Sequence, residues 1–576
     1  MIRRLFLPLV ILSCILSLTF AACTSQDTPT AADGTTLKLL YWQAPTILNP
    51  HLASGFKDFD AARLVYEPLA SYDNSDRLVP FLAAEIPSKE NGGVAADGRS
   101  VTWKLKPDVT WSDGEPFTAE DVVFTYNFIS NPDVASSNLE AFSGIETVEA
   151  IDDHTVKITF KDVTPGWAVP FTGQTGAILP EHIFSPYNGA NIREAEANNQ
   201  PVGTGPFLVE EFKPGDIVIY TANPDYWDVG KPYFERVELK GGGDATSAAR
   251  AVLQTGDADY AFNLQVEANI LKQLEAAGRG KVLANFGSYV ERIMFNFTDP
   301  NQATADGERS SVEFPHPFFT DKKVRQAFDL AVDRDTISNQ LYGPTGRPTA
   351  QLIVVPQQYS SDQIDYEFNV EKAGALLDEA GWIDSNGDGI RDKDGVEMRV
   401  VFQTSVNPVR QKTQEIVKQS LEAIGVGVEL KSIDPSIFFS GDPGNTDTLN
   451  HFYADLQEFT TGNDSPDPGP HMKWWTCEEI SQKENSWQKP NYARYCNREY
   501  DELWKRAMTE LDPEKRAALF RQMDELLRED FAVIPIVDRA TTTGVSNTLT
   551  GIDPTPWDAN TWDISNWRRT ENSVET

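Results

Sequence analysis

Four segments in the C-terminal half repeat apolar residues at helical spacing: Asp321 to Arg334, Val370 to Ala380 before Gly381, Pro408 to Ile424 before Gly425, and Asp512 to Arg528. The last opens on Asp512-Pro513, a capping residue followed by the residue best suited to a first helical turn. Directly after Gly425, Val426 to Leu430 alternates as a strand. Helices of this length between strands must cover the faces of a sheet, which predicts α/β lobes with largely parallel sheets. Earlier in the chain, Thr36 to Trp42 reads as a buried strand and Asp60 to Tyr66 as a short helix stopped by Pro68. Val101 to Trp111 alternates. Thr118-Ala119-Glu120-Asp121 opens a helix with a capping box, and strands flank the Asp152-Asp153 turn between Glu146 and Phe160. Gly241-Gly242-Gly243 leads into a helix from Thr246 to Gln254; with no Gly-Lys-Ser/Thr ending it is a strand-to-helix turn, not a nucleotide loop.

The N-terminus sets the compartment. Arg3 and Arg4 precede an apolar run from Leu5 to Phe20, too short to span a bilayer, and the run closes on Phe20-Ala21-Ala22-Cys23. This resembles the lipobox of bacterial lipoproteins, with Phe20 where Leu is usual, and implies a signal peptide over residues 1–22 and a lipid on Cys23. Thr24 to Thr36 is a polar tether without apolar periodicity. The expected location is the outer face of the cytoplasmic membrane, with membrane contact through the lipid only. In an oxidising compartment, Cys477 and Cys496 are expected to form a disulfide.

Composition excludes some functions. With 86 acidic and 50 basic residues the net charge is −36, which repels phosphate backbones, so nucleic acid is not an expected partner. There is no Gly-x-Ser-x-Gly, no His-Glu-x-x-His and no P-loop, and the six histidines are scattered. No enzyme activity and no cofactor are expected, although a glycosidase needs only two carboxylates.

A series of short motifs carries a resemblance. Leu48-Asn49-Pro50, Tyr66-Glu67-Pro68-Leu69, Leu78-Val79-Pro80 and Trp111-Ser112-Asp113-Gly114-Glu115-Pro116-Phe117-Thr118-Ala119-Glu120-Asp121 come first. Ile178-Leu179-Pro180-Glu181-His182, Gly203-Thr204-Gly205-Pro206-Phe207, Asn223-Pro224-Asp225-Tyr226-Trp227 and Asp321 to Ala327 follow in order. Together they resemble the extracellular solute-binding proteins of family 5, the oligopeptide- and dipeptide-binding lipoproteins of ABC importers. The resemblance implies a two-lobed periplasmic-binding-protein fold, α/β in class, with an extra α+β domain inserted in the first lobe (cluster C type). The implied layout is residues 37–67, 198–298 and 534–576 for lobe I, 68–197 for the inserted domain and 299–533 for lobe II. It also implies a monomer that closes on a ligand and serves a permease and ATPase complex. The ligand is a short peptide, or in relatives a nickel or other metal chelate, an oligosaccharide or an opine.

A buried peptide site needs a carboxylate for the ammonium end and tolerant pockets for side chains. Asp464, in Gly462-Asn463-Asp464-Ser465-Pro466-Asp467-Pro468, is similar to the family aspartate that holds the peptide amino group. Asn463 lies beside it, and Phe459, Trp474 and Trp475 are candidate pocket walls. From the other lobe, Tyr41 and Trp42 end the first strand, where ligands collect in α/β sheets. Asn296, after the strand ending Ile293-Met294-Phe295, is expected near the crossover. Finally, Asp384, Asn386, Asp388 and Asp392 occupy calcium-loop positions, but the twelfth position is Gly395 rather than a bidentate glutamate.

Overall fold

A computed structural model describes residues 35–53, 55–440 and 443–570. The expected signal segment, Cys23 and the expected tether up to residue 34 lie outside the described residues. No helix among the described residues is long and apolar enough to cross a membrane.

Two large sheets organise the chain. The first has seven strands in the order Gly280–Asn285, Thr541–Ser546, Tyr260–Phe262, Thr36–Tyr41, Arg236–Gly241, Ile217–Ala222 and Phe207–Lys213. The second has six, in the order Gly346–Pro348, Val533–Arg539, Val290–Phe295, Leu456–Thr461, Arg399–Ser405 and Gly427–Ile433. Sheets covered by helices were expected; largely parallel pairing was not realised. Thr36–Tyr41 runs parallel to both neighbours, as does Arg399–Ser405, while every other neighbouring pair is antiparallel. The reason is local: Phe207–Lys213, Ile217–Ala222 and Arg236–Gly241 follow one another through short turns, and such turns reverse direction.

The expected lobe boundaries also move. Val290–Phe295 and Val533–Arg539 hydrogen-bond in the six-stranded sheet, so the chain crosses between the sheets at residues 286–289 and again at Ala540, not at 298 and 534. Both strands are buried along their whole length, because helices pack on both faces of that sheet. Ile293 and Phe295 face one core with Val324, Phe328 and Val417, and Met294 faces another with Phe459, Phe520 and Met523. The inserted region forms a three-stranded antiparallel sheet, Ser100–Lys104, Ile145–Asp152 and Thr155–Phe160, against the helix Ala119–Ser130. Its core is continuous with that of the seven-stranded sheet.

Helix ends follow their local signals. Asp512 accepts hydrogen bonds from the amides of Glu514 and Lys515 at the start of Pro513–Glu529, and Gly381 and Gly425 take left-handed φ of +84° and +81° after Val370–Glu379 and Pro408–Glu422. The expected helix from Asp321 to Arg334 is broken: Lys322–Leu330 ends, and Arg334–Ile337 begins anew with Asp333 accepting from the Thr336 amide.

The motifs behind the family resemblance hold the fold together. Buried Glu67 accepts from Thr204 Oγ1 at 3.1 Å, Tyr226 Oη at 3.0 Å and Trp227 Nε1 at 2.7 Å, joining three of the motifs at one carboxyl. Asp121 accepts from Trp111 Nε1 and from the amides of Thr118 and Glu181, joining two more. Gly203 is required by close approach, since a Cβ there would lie 2.0 Å from the Val65 carbonyl oxygen.

Candidate ligand-binding site

The crossing segments bring the ends of both sheets together. Gly462, directly after Leu456–Thr461, packs so closely on the first crossing that a Cβ would lie 2.1 Å from the Ser288 carbonyl oxygen. Ser288 Oγ donates to the Asn463 carbonyl at 2.6 Å, which fixes the start of the Gly462 to Pro468 loop. Asn463 is buried; its Nδ2 donates to the Val355 carbonyl at 3.3 Å and its Oδ1 has no partner. Asp464 is the next residue. Solvent reaches its side chain, yet surrounding protein desolvates the carboxyl and pushes it up to about 6. Its negative charge raises the Tyr289 hydroxyl, which burial already holds high, and Tyr289 packs edge-on against Phe56 from the other lobe at 5.7 Å. No cation among the described residues lies within ion-pair distance of Asp464. Asp464 is thus a carboxylate without a counter-ion among the described residues, next in sequence to a buried, unpartnered amide oxygen.

An aromatic group is built on the flanking segments. Trp474, half-buried, packs against Tyr492 at 5.9 Å and His471 at 5.3 Å, and Phe459 packs against Tyr492 from below at 6.3 Å. Arg292, fully buried, donates to the carbonyls of Val290 and Thr461 and contacts His471 Nε2 at 3.4 Å; burial holds its guanidinium down to about 9. The disulfide between Cys477 and Cys496 is formed and closes the segment that carries Tyr492, beginning three residues after Trp474.

Other expected positions are engaged by the surrounding fold. Tyr41 is buried, and its hydroxyl donates to Asp60 Oδ2 at 2.7 Å, so it belongs to the core. Trp475 is buried against Tyr495 on the inner side of the 3₁₀ turn Lys473–Trp475. Asn296 is buried and ties Ser310, Phe452 and Ala454 together. It lies at the end of Val290–Phe295 remote from the crossing, because the strand runs away from residues 286–289. Trp42 is half-buried, with Nε1 donating to the Asn263 carbonyl at 3.0 Å. In the calcium-like loop the carboxylates are occupied by the loop's own donors: Asp384 accepts from the amides of Gly387 and Gly389, Asp388 from Ile390, and Asp392 from Ser385, while Asn386 accepts from the Asp388 amide. Among the described residues no cluster of three His, Cys, Asp or Glu side chains is placed to hold a metal.

A second polar group escaped sequence reasoning. Glu291 pairs with Arg410 Nε at 2.7 Å and accepts from Thr460, and beside them Glu458 is buried with neither carboxyl oxygen partnered. Burial, then the charge of Glu291, pushes Glu458 well up. Burial opposes ionisation of Glu291 as well, but Arg410 holds it below the usual range. The only sequence signal was strand alternation, which puts Glu458 and Thr460 on the face of Leu456. Around this group the lobes touch directly: Lys412 pairs with Glu267 at 2.7 Å, and Asn407 donates to Gln265.

The pattern of the bacterial extracellular solute-binding proteins, family 5 (middle region), matches residues 77–482. The chain is a family 5 extracellular solute-binding protein. This family 5 protein is 30% identical over 498 residues to the oligopeptide-binding protein AppA of Bacillus subtilis, covering 84% of this chain and 83% of AppA. It is 26% identical over 404 residues to the nickel-binding periplasmic protein of Escherichia coli, covering 68% and 70%. Among solved structures, AppA of B. subtilis in complex with a nonapeptide superposes with a TM-score of 0.76 at 26% identity, over 93% of this chain and 99% of AppA. NikZ of Campylobacter jejuni in complex with Ni(L-His) superposes with a TM-score of 0.77 at 23% identity, over 93% and 100%, and shares the two-lobed fold.

Proposed function

We propose that this family 5 protein is the substrate-binding lipoprotein of an ABC importer and that it carries short peptides, without chemistry, to the permease and its ATPase. The observation that carries the peptide reading is Asp464: a carboxylate that the surrounding protein desolvates and pushes up to about 6, with no cation among the described residues within ion-pair distance. A peptide ammonium supplies the missing charge and hydrogen-bond donors. Asn463 Oδ1, buried and unpartnered, is a further acceptor for the same end of the ligand. The half-buried rings of Trp474 and Tyr492, with Tyr289 on the crossing segment, suit varied side chains, because aromatic faces contribute contact area without demanding fixed hydrogen bonds. In this reading residues 1–22 are removed, Cys23 bears the lipid and the folded body stands off the outer face of the cytoplasmic membrane as a monomer. The likeness to AppA supports peptide over the other ligands of the family.

The test is mass spectrometry of small molecules released on denaturing the untagged mature protein. Recovered peptides are the expected result. A sugar, an opine or a metal chelate in their place refutes the peptide reading and the role given to Asp464.

A further inference from the structure

The inserted domain and the six-stranded lobe approach each other at several points. Lys473 Nζ pairs with Glu140 at 2.7 Å. The Gly166 backbone lies on Asp467, where a Cβ would come 2.6 Å from Oδ2. Gly98 lies on Leu511, where a Cβ would come 2.9 Å from Cδ2. Beside these contacts is a chamber of about 500 Å³, inside the roughly 300–1,000 Å³ of small-molecule sites.

Most of the wall surface open to it is apolar. Ile145, Phe160 and Val169 come from the inserted domain, and Pro470, Trp504 and Met508 from the facing helices. The charged groups around it are already engaged: Lys473 with Glu140 and Glu479, Arg516 with Asp467, Lys505 with Glu502, and Lys161 with the Ser143 carbonyl. Trp504 Nε1 donates to the Gly469 carbonyl at 3.2 Å. Among the described residues, no buried side-chain polar atom left without a partner belongs to a lining residue. No buried polar group here calls for a polar occupant, whereas an apolar one gains dispersion contacts with the apolar majority of the wall and leaves water.

We propose that this seam chamber is an apolar binding compartment that takes an aromatic or branched aliphatic group, distinct in chemistry from the charged cleft wall at Asp464. The group comes either from a free small molecule or from the far end of a ligand held at Asp464. The proposal does not rest on the peptide reading. Since the walls belong to two bodies, an occupant bridges them and favours a shut seam.

Titration of the untagged full chain with indole, followed by ligand-observed NMR, tests this. Saturable binding is expected, weakened at least about tenfold when either wall is filled, by Val169→Trp or by Met508→Trp, and unchanged in Asp464→Asn. If a Trp variant fails to melt cooperatively, Val169→Phe and Met508→Phe replace it. Absence of saturable binding to the wild type overturns the proposal, as does binding that survives filling from both walls. A free-amino peptide ending in naphthylalanine separates the two sources: if it displaces indole, the group is the ligand's own distal side chain; if indole binds the chamber undisplaced, the group is a separate molecule.

Discussion

Asp464→Asn removes the one charge on which the peptide reading depends while preserving size and shape. Truncating one member of a desolvated charge pair costs about 2–5 kcal/mol, or roughly thirty-fold to several thousand-fold in Kd. The pH dependence sharpens the expectation. In the empty protein the carboxyl is pushed up to about 6 by desolvation alone, so at pH 7 it is about nine-tenths ionised and at pH 5 about one-tenth. Binding of an ammonium requires the ionised form, so affinity for a free-amino peptide should fall about tenfold between pH 7 and pH 5. Isothermal titration with a peptide recovered from the protein, over that range and with its N-acetylated counterpart, measures all three effects. The variant should bind weakly with little dependence on pH, and acetylation should cost the wild type much and the variant little. Equal affinity of wild type and variant, or of free and acetylated peptide, would refute the assignment of Asp464.

Other expectations follow from the packing. Glu291→Gln leaves the Arg410 guanidinium buried without its carboxylate, which should destabilise the chain by about 3–5 kcal/mol and lower its melting temperature; Glu291→Gln with Arg410→Met should recover part of the loss. Cys477→Ser with Cys496→Ser opens a loop spanning 19 positions, worth about 3 kcal/mol in the chain-entropy model, and reductant should lower the wild-type melting temperature similarly while leaving the variant unchanged. Asp60, Asp524 and Asp563 are each pushed up to about 7 by burial. Between the ordinary carboxylate range and pH 7 the folded chain thus holds protons that the unfolded chain has released, and these groups make stability decline as pH rises through that window. Melting temperature against pH should slope less steeply in Asp524→Asn; an unchanged slope would count against protonation of Asp524.

Much of the fold was legible in short-range patterns because those patterns are local physics. Asp512 caps a helix and Gly381 and Gly425 end helices whatever surrounds them, as the bonds to the Glu514 amide and the left-handed φ values record. The family motifs were legible as a series, although their cause, convergence on Glu67 and Asp121, needs partners more than a hundred positions apart for Glu67 and sixty for Asp121. Asp464 could be singled out by its place in a recognisable segment, and the cysteine pair by compartment.

What tertiary structure alone decided was direction and environment. Tyr41, Trp42, Trp475 and Asn296 were plausible site residues by type and position. Their side chains were settled by Asp60, the Asn263 carbonyl, Tyr495 and the Ser310 to Ala454 loops, none of which is near in sequence except Ser310. The assignment of Val290–Phe295 and Val533–Arg539 to the second sheet rests on ladder hydrogen bonds between distant strands, and that assignment places the crossing at residues 286–289 instead of beside Asn296. Sequence by itself determined most of the elements, their stops and the family. The fold determined that Asp464 is desolvated, that Glu458 is buried without partners and that an apolar chamber lies between the inserted domain and its neighbour, because desolvation and cavities depend on which distant segments come to share one volume.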